Sequence, residues 1–169
     1  MVAPEREPLK GEIEADEFFL GGFEEGLKGG RQRGRKVLCG VAIEVRGRGS
    51  GRLRLAVLKD ASGPSLLAFT KATTQPEAIV HSDGLQSYRT LANHGYDHRR
   101  LTQIAAAPGE HRAISNLKAW MHGTHRGVSP EHLPAYLDEF VRHEALSDRV
   151  GCKAPPPGRR SGPVKLRAA

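Results

Sequence analysis

The sequence predicts a mixed α/β fold in which one five-stranded sheet is flanked by helices on both faces. Three observations predict it. The first part of the chain holds three strand-like segments separated by glycine-rich turns. A helical segment and a short apolar strand follow, and the remainder is mostly helical in pattern. A strand meander followed by alternating helices and strands is typical of a single sheet covered by helices.

The first three strands are predicted at residues 12–20, 37–45 and 52–58. The first ends at Gly21-Gly22, because paired glycines favour a turn over extended structure. The segment 46–51 consists of glycine, arginine and serine and separates the second strand from the third. A short polar turn between two strand-like runs predicts a hairpin.

A helix is predicted next at residues 64–72, with Ser62 as its N-terminal cap. The elements after it are predicted to be a strand at 78–81, a short helix at 85–93 ended by His94-Gly95, a strand at 98–104, a helix at 111–122 and a last helix that begins near Ser129-Pro130 or at Pro134. The apolar residues of the last helix repeat with helical spacing as far as Val141.

A chain of 169 residues is long enough for one domain with a hydrophobic core. Residues 1–10 are predicted to form a loose polar lead-in, and residues 11–141 to form the domain. The apolar periodicity stops after that point, so residues 142–169 are predicted to be a disordered, basic, proline-rich tail.

The composition favours a soluble protein that binds a polyanion. Two cysteines without a C-x-x-C pair argue against a disulfide framework or a zinc site. No segment approaches the ~18 apolar residues of a membrane helix, so we expect a cytoplasmic protein without a membrane partner. The formal net charge of +7 favours DNA or RNA as the partner rather than a small-molecule substrate.

Two aspartates at or near strand ends are candidate metal ligands. Asp16 lies in the first strand before Gly21, and Asp83 follows the strand at 78–81. Polar ligands collect at strand ends in open α/β sheets, and paired carboxylates bind the cations used in phosphodiester chemistry. The alternative is that Asp83 belongs only to a turn and Asp16 is one of several acids on an exposed strand.

The helix at 111–122 is the candidate source of further site residues. At about 100° per residue, His111 and Lys118 lie nearly in line, whereas Asn116 points roughly 140° away from His111. His111 is therefore preferred over Asn116 as a site residue. It can ligate a metal, although imidazole suits Mn²⁺ better than Mg²⁺, or it can position a water or transfer a proton. The alternative is that both are solvated helical side chains.

A basic cluster lies between the first two strands and consists of Arg31, Arg33, Arg35 and Lys36. Such a cluster can bind the DNA backbone without reading its sequence. The alternative is a solvated loop.

Four segments, in this order, resemble bacterial insertion-sequence transposases of the DDE type. They are Glu-Ala-Asp-Glu-Phe-Phe-Leu-Gly-Gly (14–22), His-Ser-Asp-Gly-Leu-Gln-Ser-Tyr (81–88), Asn-Leu-Lys-Ala-Trp-Met-His-Gly-Thr-His-Arg-Gly-Val-Ser (116–129) and His-Leu-Pro-Ala-Tyr-Leu-Asp-Glu-Phe (132–140). The resemblance covers roughly residues 10–141. It is to the ISXO2-like, IS1595-type branch, in which asparagine or histidine often replaces the third acidic residue.

This resemblance implies a ribonuclease-H-like catalytic domain that uses Mg²⁺ or Mn²⁺ to cleave and join DNA at transposon ends. Asp16 and Asp83 match the first two catalytic residues, and His111 falls at the variable third position, so these three would hold the metal. Lys118 matches the lysine that contacts DNA. The resemblance also implies a homo-oligomer that acts on paired transposon ends and target DNA.

The sequence departs from the family pattern at three places. Relatives carry an N-terminal DNA-recognition region that this sequence lacks, and the segment before His111 is short. After Val141, a proline-rich tail replaces the aromatic and arginine-rich end of the family's helix. These departures favour the alternative of a truncated, catalytically inactive DNA-binding remnant. A ribonuclease-H-like nuclease is a further alternative.

Overall fold

The structure is a computed structural model that describes residues 6–21, 36–47, 49–83, 85–100, 108–124 and 131–150. These residues form the predicted α/β fold. The strands are β1 (Glu12–Leu20), β2 (Val37–Arg46), β3 (Gly49–Val57), β4 (Ile79–Ser82) and β5 (Asp97–Arg100). The helices are α1 (Gly63–Thr73), a 3₁₀ helix (Gln86–His94), α2 (Pro108–Thr124) and α3 (Leu133–Val150).

The five strands form one mixed sheet with the order β3-β2-β1-β4-β5. β1 is the central strand and pairs antiparallel with β2 on one side. On its other side it pairs parallel with β4, which in turn pairs parallel with β5. The carboxyl ends of β1 and β4 therefore lie at the same edge of the sheet.

Helices cover both faces of the sheet, so the middle of β2 is buried on each side. Cys39, Val41 and Ile43 pack beneath α2 and α3. Leu38 and Ala42 point the other way, toward α1 and the 3₁₀ helix. This alternation follows from the two-residue period of a strand. The predicted sheet with helices on both faces is confirmed.

The N-terminal half matches the predicted elements, with two corrections. β3 begins at Gly49 rather than Arg52, because Gly49 and Ser50 already pair with Arg46 and Val45 across a shorter hairpin turn. Ser62 occupies the N-cap position of α1 but forms no side-chain cap. Its hydroxyl instead donates a hydrogen bond to Asp60, whose carboxylate also accepts from the Ser62 N–H at 3.0 Å.

The short helix predicted at residues 85–93 is a 3₁₀ helix and not an α-helix. Residues three apart eclipse one another in a 3₁₀ helix, which lets Tyr88 and Leu91 both point into the core. Gly95 ends the helix as predicted, with a φ of 81° and its N–H bonded to the Leu91 carbonyl. β5 begins one residue earlier than predicted and ends at Arg100, and the rest of the predicted strand lies outside the described residues.

The last helix begins at Leu133, so Pro134 lies in its first turn, where proline costs no helical hydrogen bond. α3 then continues past Val141 to Val150. The predicted tail therefore does not begin at Arg142, and its residues 151–169 lie outside the described residues.

Residues 6–10 are packed against the domain, contrary to the prediction of a loose lead-in. Leu9 is fully buried and its N–H donates to the Thr73 carbonyl at 2.8 Å. Arg6 forms an ion pair with Asp138 of α3 at 3.3 Å. The apolar side chain of Leu9 accounts for this anchoring, since burying a leucine contributes about 2 kcal/mol.

Across the described segments, none of the helices combines the length and the apolar character that spanning a membrane requires.

Candidate metal centre

The first two predicted site residues come together at the carboxyl edge of the sheet. β1 and β4 are paired in parallel, and the last pair of the ladder is Glu14 with His81. Asp16 and Asp83 each lie two residues beyond that pair. The side chains of a strand alternate between faces, so the same offset places both carboxylates at one level and on one face.

A third carboxylate, that of Glu17, joins the two aspartates. One oxygen atom from each of Asp16, Glu17 and Asp83 lies within 4.8 Å of the other two. Sequence reasoning named Asp16, Asp83 and His111 as metal ligands and did not name Glu17. The sequence signal for Glu17 was its position next to Asp16. In the structure, β1 continues past Glu14, the last of its residues that pairs with β4, so the side of β1 that faces β4 is unpaired at Glu17.

The carboxyl group of Asp16 is half-buried, whereas Asp83, His111 and Lys118 are exposed. Burial raises its pKa, and the negative charge of Asp83 raises it further. The Glu17 backbone N–H donates to the Asp16 Oδ1 at 2.8 Å and acts in the opposite direction, as does nearby His111. The two aspartates therefore repel each other, and a bound cation would relieve that repulsion.

Asp83 is exposed and its orientation is fixed by its own turn. Its Oδ1 accepts a hydrogen bond from the Leu85 N–H at 2.9 Å, an interaction typical of aspartate before a turn. The turn interpretation of Asp83 is thus confirmed, and its interpretation as a site residue stays a prediction that the turn does not contradict. The turn holds one oxygen and leaves the other available.

α2 lies on the same face of the sheet as Asp16. Its apolar side chains at Ile114, Leu117 and Met121 are buried in the core beneath it. This anchors the helix so that His111 is close enough to Asp16 to lower the pKa of its carboxyl group. Asn116 is exposed on the helix surface.

Lys118 lies two turns along α2 from His111 and is exposed. Its Nζ lies 5.8 Å from the centre of the Phe18 ring, on the residue of β1 that follows Asp16 on the same face. A cation over an aromatic face is worth roughly 0.5–1 kcal/mol at an exposed site. The ring therefore holds the ammonium group on the same side of β1 as the acidic cluster.

A polar network beneath the acidic cluster was not predicted from the sequence. Tyr88 is fully buried, and burial together with the charges of Glu17 and Asp16 raises the pKa of its phenol. Its ring stacks on His98 with the ring centres 6.1 Å apart. The His98 Nε2 is 2.9 Å from the Ser82 hydroxyl at the end of β4. An isolated tyrosine in a helix gives no sequence signal for such a role.

The basic cluster is mostly outside the described residues, because Arg31, Arg33 and Arg35 are not described. Lys36 is half-buried beside β1. A Cβ atom placed on Gly21 would lie 3.1 Å from the Lys36 Cα, so the backbones at the ends of β1 and β2 are in close contact.

The donor set fits a magnesium or manganese ion. Both ions prefer oxygen ligands, and Mg²⁺ binds them at about 2.0–2.1 Å. Three carboxylates with oxygen atoms within 4.8 Å of one another offer such ligands around one point. The negative charges of Asp16 and Asp83 repel each other, so binding a cation between them lowers the electrostatic energy of the cluster.

A family comparison decides what kind of domain carries this centre. The family model for the ISXO2-like transposase domain matches residues 8–143 of the chain. The chain belongs to the ISXO2-like transposase domain family. A comparison with curated proteins found no match.

Membership of this family confirms the sequence-based identification and explains the fold. The mixed sheet with helices on both faces is the ribonuclease-H-like fold of DDE transposase domains. A transposase of this family acts on transposon DNA and uses divalent metal ions. The acidic cluster of Asp16, Glu17 and Asp83 could hold such an ion.

Proposed function

We propose that this transposase domain cleaves and joins DNA at insertion-sequence ends, with Mg²⁺ or Mn²⁺ held by Asp16 and Asp83. The observation that carries the proposal is the meeting of these two carboxylates. They are far apart in the sequence, yet the parallel pairing of β1 and β4 brings them together with His111 nearby.

A divalent cation in such a site activates the attacking oxygen and stabilises the leaving oxygen of a phosphodiester. The side chains of this chain have separate tasks around it. Asp16 and Asp83 hold the cation, and His111 completes the site as a ligand or by orienting and deprotonating the nucleophile. Water is the nucleophile in cleavage, and the freed 3′-hydroxyl is the nucleophile in joining.

Lys118 is proposed to bind a phosphate of the DNA close to the scissile bond. Its ammonium group lies over the ring of Phe18, on the face of β1 that also carries Asp16. A polyanion approaching three carboxylates needs such a charge. Arg31, Arg33, Arg35 and Lys36 are proposed to extend the contact along the backbone, which gives affinity without sequence readout.

The partners of the domain are proposed to be the transposon ends, the target DNA and further copies of the same chain. A homo-oligomer can hold two ends for joining to one target. We propose that this reaction takes place in the cytoplasm, where bacterial DNA is accessible.

The test is strand transfer with DNA that carries the terminal repeats flanking the coding region. Parent protein, Asp83→Asn and Asp97→Asn are compared with and without Mg²⁺ or Mn²⁺. Asp97→Asn is the matched control, since Asp97 is an exposed aspartate on the neighbouring strand and pairs with Arg99.

We expect metal-dependent strand transfer by the parent and the control, and a loss of about 100-fold or more in Asp83→Asn. Equal activity in Asp83→Asn would contradict the assignment. Salt-sensitive DNA binding without cleavage would identify an inactive remnant. Cleavage of RNA–DNA hybrids without strand transfer would identify a nuclease.

A further inference from the structure

We propose that Glu17 is a third carboxylate ligand of the divalent cation and that Tyr88 holds it in position. This inference rests on the proposed function, because it concerns the same cation. The third ligand is then the Glu17 carboxylate of β1 rather than the His111 imidazole of α2. His111 is left to orient or deprotonate the nucleophile.

The first argument is the path of β1. Its ladder with β4 ends at Glu14 and His81, so the strand has an open edge beyond that pair. Glu17 belongs to the opposite face from Asp16, but at an open edge its longer side chain can reach around. Its carboxylate oxygen accordingly lies within 4.8 Å of oxygens from both Asp16 and Asp83.

The second argument is Tyr88, whose side chain is aimed at this carboxylate from the core. The residue is fully buried, and stacking on His98 fixes the plane of its ring. The hydroxyl approaches Glu17 without completing a hydrogen bond of ordinary geometry with any described residue. A buried hydroxyl left without a hydrogen bond destabilises the folded state, so it favours an arrangement that supplies an acceptor.

These two observations fit a carboxylate that serves two neighbours. In the proposed arrangement, one oxygen of Glu17 binds the cation together with the two aspartates, and the other accepts a hydrogen bond from the Tyr88 hydroxyl. Metal-binding side chains are commonly oriented by such a second hydrogen bond, and losing it typically weakens metal binding 10–100-fold. Three oxygen ligands also suit Mg²⁺ better than two carboxylates and an imidazole.

The test measures the affinity of Mn²⁺ for the full chain by titration calorimetry. The variants are Glu17→Gln, Tyr88→Phe, Asp83→Asn and Glu12→Gln. Glu12→Gln is the matched control because it removes an exposed carboxylate from the same strand, where Glu12 lies 3.7 Å from His81 and outside the cluster.

We expect Glu17→Gln to weaken Mn²⁺ binding by more than about 10-fold and Tyr88→Phe by several-fold, with Glu12→Gln within about twofold of the parent. If Glu17→Gln matches Glu12→Gln while Asp83→Asn loses binding, the inference about Glu17 is wrong and the proposed centre stands. If Asp83→Asn binds Mn²⁺ like the parent, the proposed centre itself is wrong. If Tyr88→Phe binds like the parent, the role of Tyr88 is overturned.

A second variant separates ligation from the loss of a nearby charge. Glu17→Asp keeps the negative charge but shortens the side chain by one methylene. We expect this variant to lose Mn²⁺ affinity almost as Glu17→Gln does, because the shorter carboxylate no longer reaches the cation. Thermal unfolding without metal checks that each variant is folded. A folded Glu17→Asp variant that binds Mn²⁺ like the parent would show that only the charge matters and would contradict direct ligation.

Discussion

Asp16 in β1 and Asp83 directly after β4 each lie two residues beyond Glu14 and His81, the last residue pair between these parallel strands, and their carboxylate oxygens lie within 4.8 Å of each other. The relationship follows from topology. β4 lies beside β1 and runs in the same direction. The C-terminal ends of the two strands, with Asp16 and Asp83 close by, therefore lie at the same end of the sheet. It also creates repulsion, since the charge of Asp83 contributes to the raised pKa of the Asp16 carboxyl.

His111 rather than Asn116 is expected to be the functional residue of α2. The charge of His111 acts on Asp16, whereas Asn116 points roughly 140° away from it around the helix. We predict that His111→Ala lowers strand transfer by about 100-fold or more, the scale of proton-transfer catalysis. Asn116→Ala is the control and should retain parental activity. A larger loss in Asn116→Ala would reverse the assignment.

Lys118 is expected to contribute to DNA affinity and not to folding. Its side chain is exposed, and its contact with Phe18 is worth at most about 1 kcal/mol. We predict that Lys118→Ala weakens DNA binding and reduces the slope of log affinity against log salt by about one. Lys71→Ala, on the opposite face of the sheet, should leave both unchanged. Fluorescence anisotropy at several salt concentrations measures the effect, and equal slopes for the two variants would contradict it.

Gly40 is expected to be essential for packing α1 against the sheet. A Cβ atom at this position would lie 3.0 Å from the Phe69 ring and 3.2 Å from Leu58. We predict that Gly40→Ala lowers the free energy of unfolding by about 1–3 kcal/mol.

The matched substitution is Gly123→Ala, because a Cβ atom on Gly123 in α2 meets nothing within 4 Å. Alanine favours a helix over glycine, so this variant should be stabilised by about 0.5–1 kcal/mol. Urea unfolding followed by circular dichroism measures both variants. The same sign for the two changes would show that the packing around Gly40 is misdescribed.

Glu44 is expected to make the stability of the domain depend on pH. Burial alone would raise the pKa of this carboxyl, but hydrogen bonds from Arg52, the Lys10 N–H and Arg46 together lower it from 4.5 to about 2. A lowered pKa contributes stability that is complete above about pH 4.5 and is lost as the pH falls toward 2.

Glu44→Gln should therefore lower the free energy of unfolding by about 2–3 kcal/mol at pH 6 and by much less near pH 2. Glu139→Gln removes an exposed carboxylate from α3 and serves as the control at each pH. Urea titrations over this range measure the difference between parent and variant. A difference that is constant with pH would contradict the assigned pKa.

The sequence predicted the elements whose signals are local. Gly21 ends β1 and Gly95 ends the 3₁₀ helix, since each glycine limits an element by its own backbone preference. The proximity of Asp16 and Asp83 could be predicted from two signals. Both residues lie at or near strand ends, and both match catalytic positions in the family resemblance. The apolar stripe of α2 likewise predicted which of its side chains face the sheet.

The parts that the sequence did not predict depend on contacts between distant segments. In the sequence, Glu17 is indistinguishable from an ordinary exposed acid. Its role depends on the pairing of β1 with β4, which ends at Glu14 and leaves that side of β1 unpaired at Glu17. Tyr88 becomes a neighbour of the carboxylates only because the 3₁₀ helix packs against β5, where the Tyr88 ring stacks on His98. The anchoring of residues 6–10 depends on partners such as Asp138, far along the chain, and no local pattern reveals it.

The measurement that tests the central claim most directly is the thermal stability of Asp83→Asn with and without Mn²⁺. Removing one of two repelling charges should raise the melting temperature of the metal-free variant above that of the parent. Mn²⁺ should then stabilise the parent, as any ligand of the native state does, and leave the variant unchanged. An Asp83→Asn variant that is less stable than the parent without metal, and is still stabilised by Mn²⁺, would contradict a shared metal centre at Asp16 and Asp83.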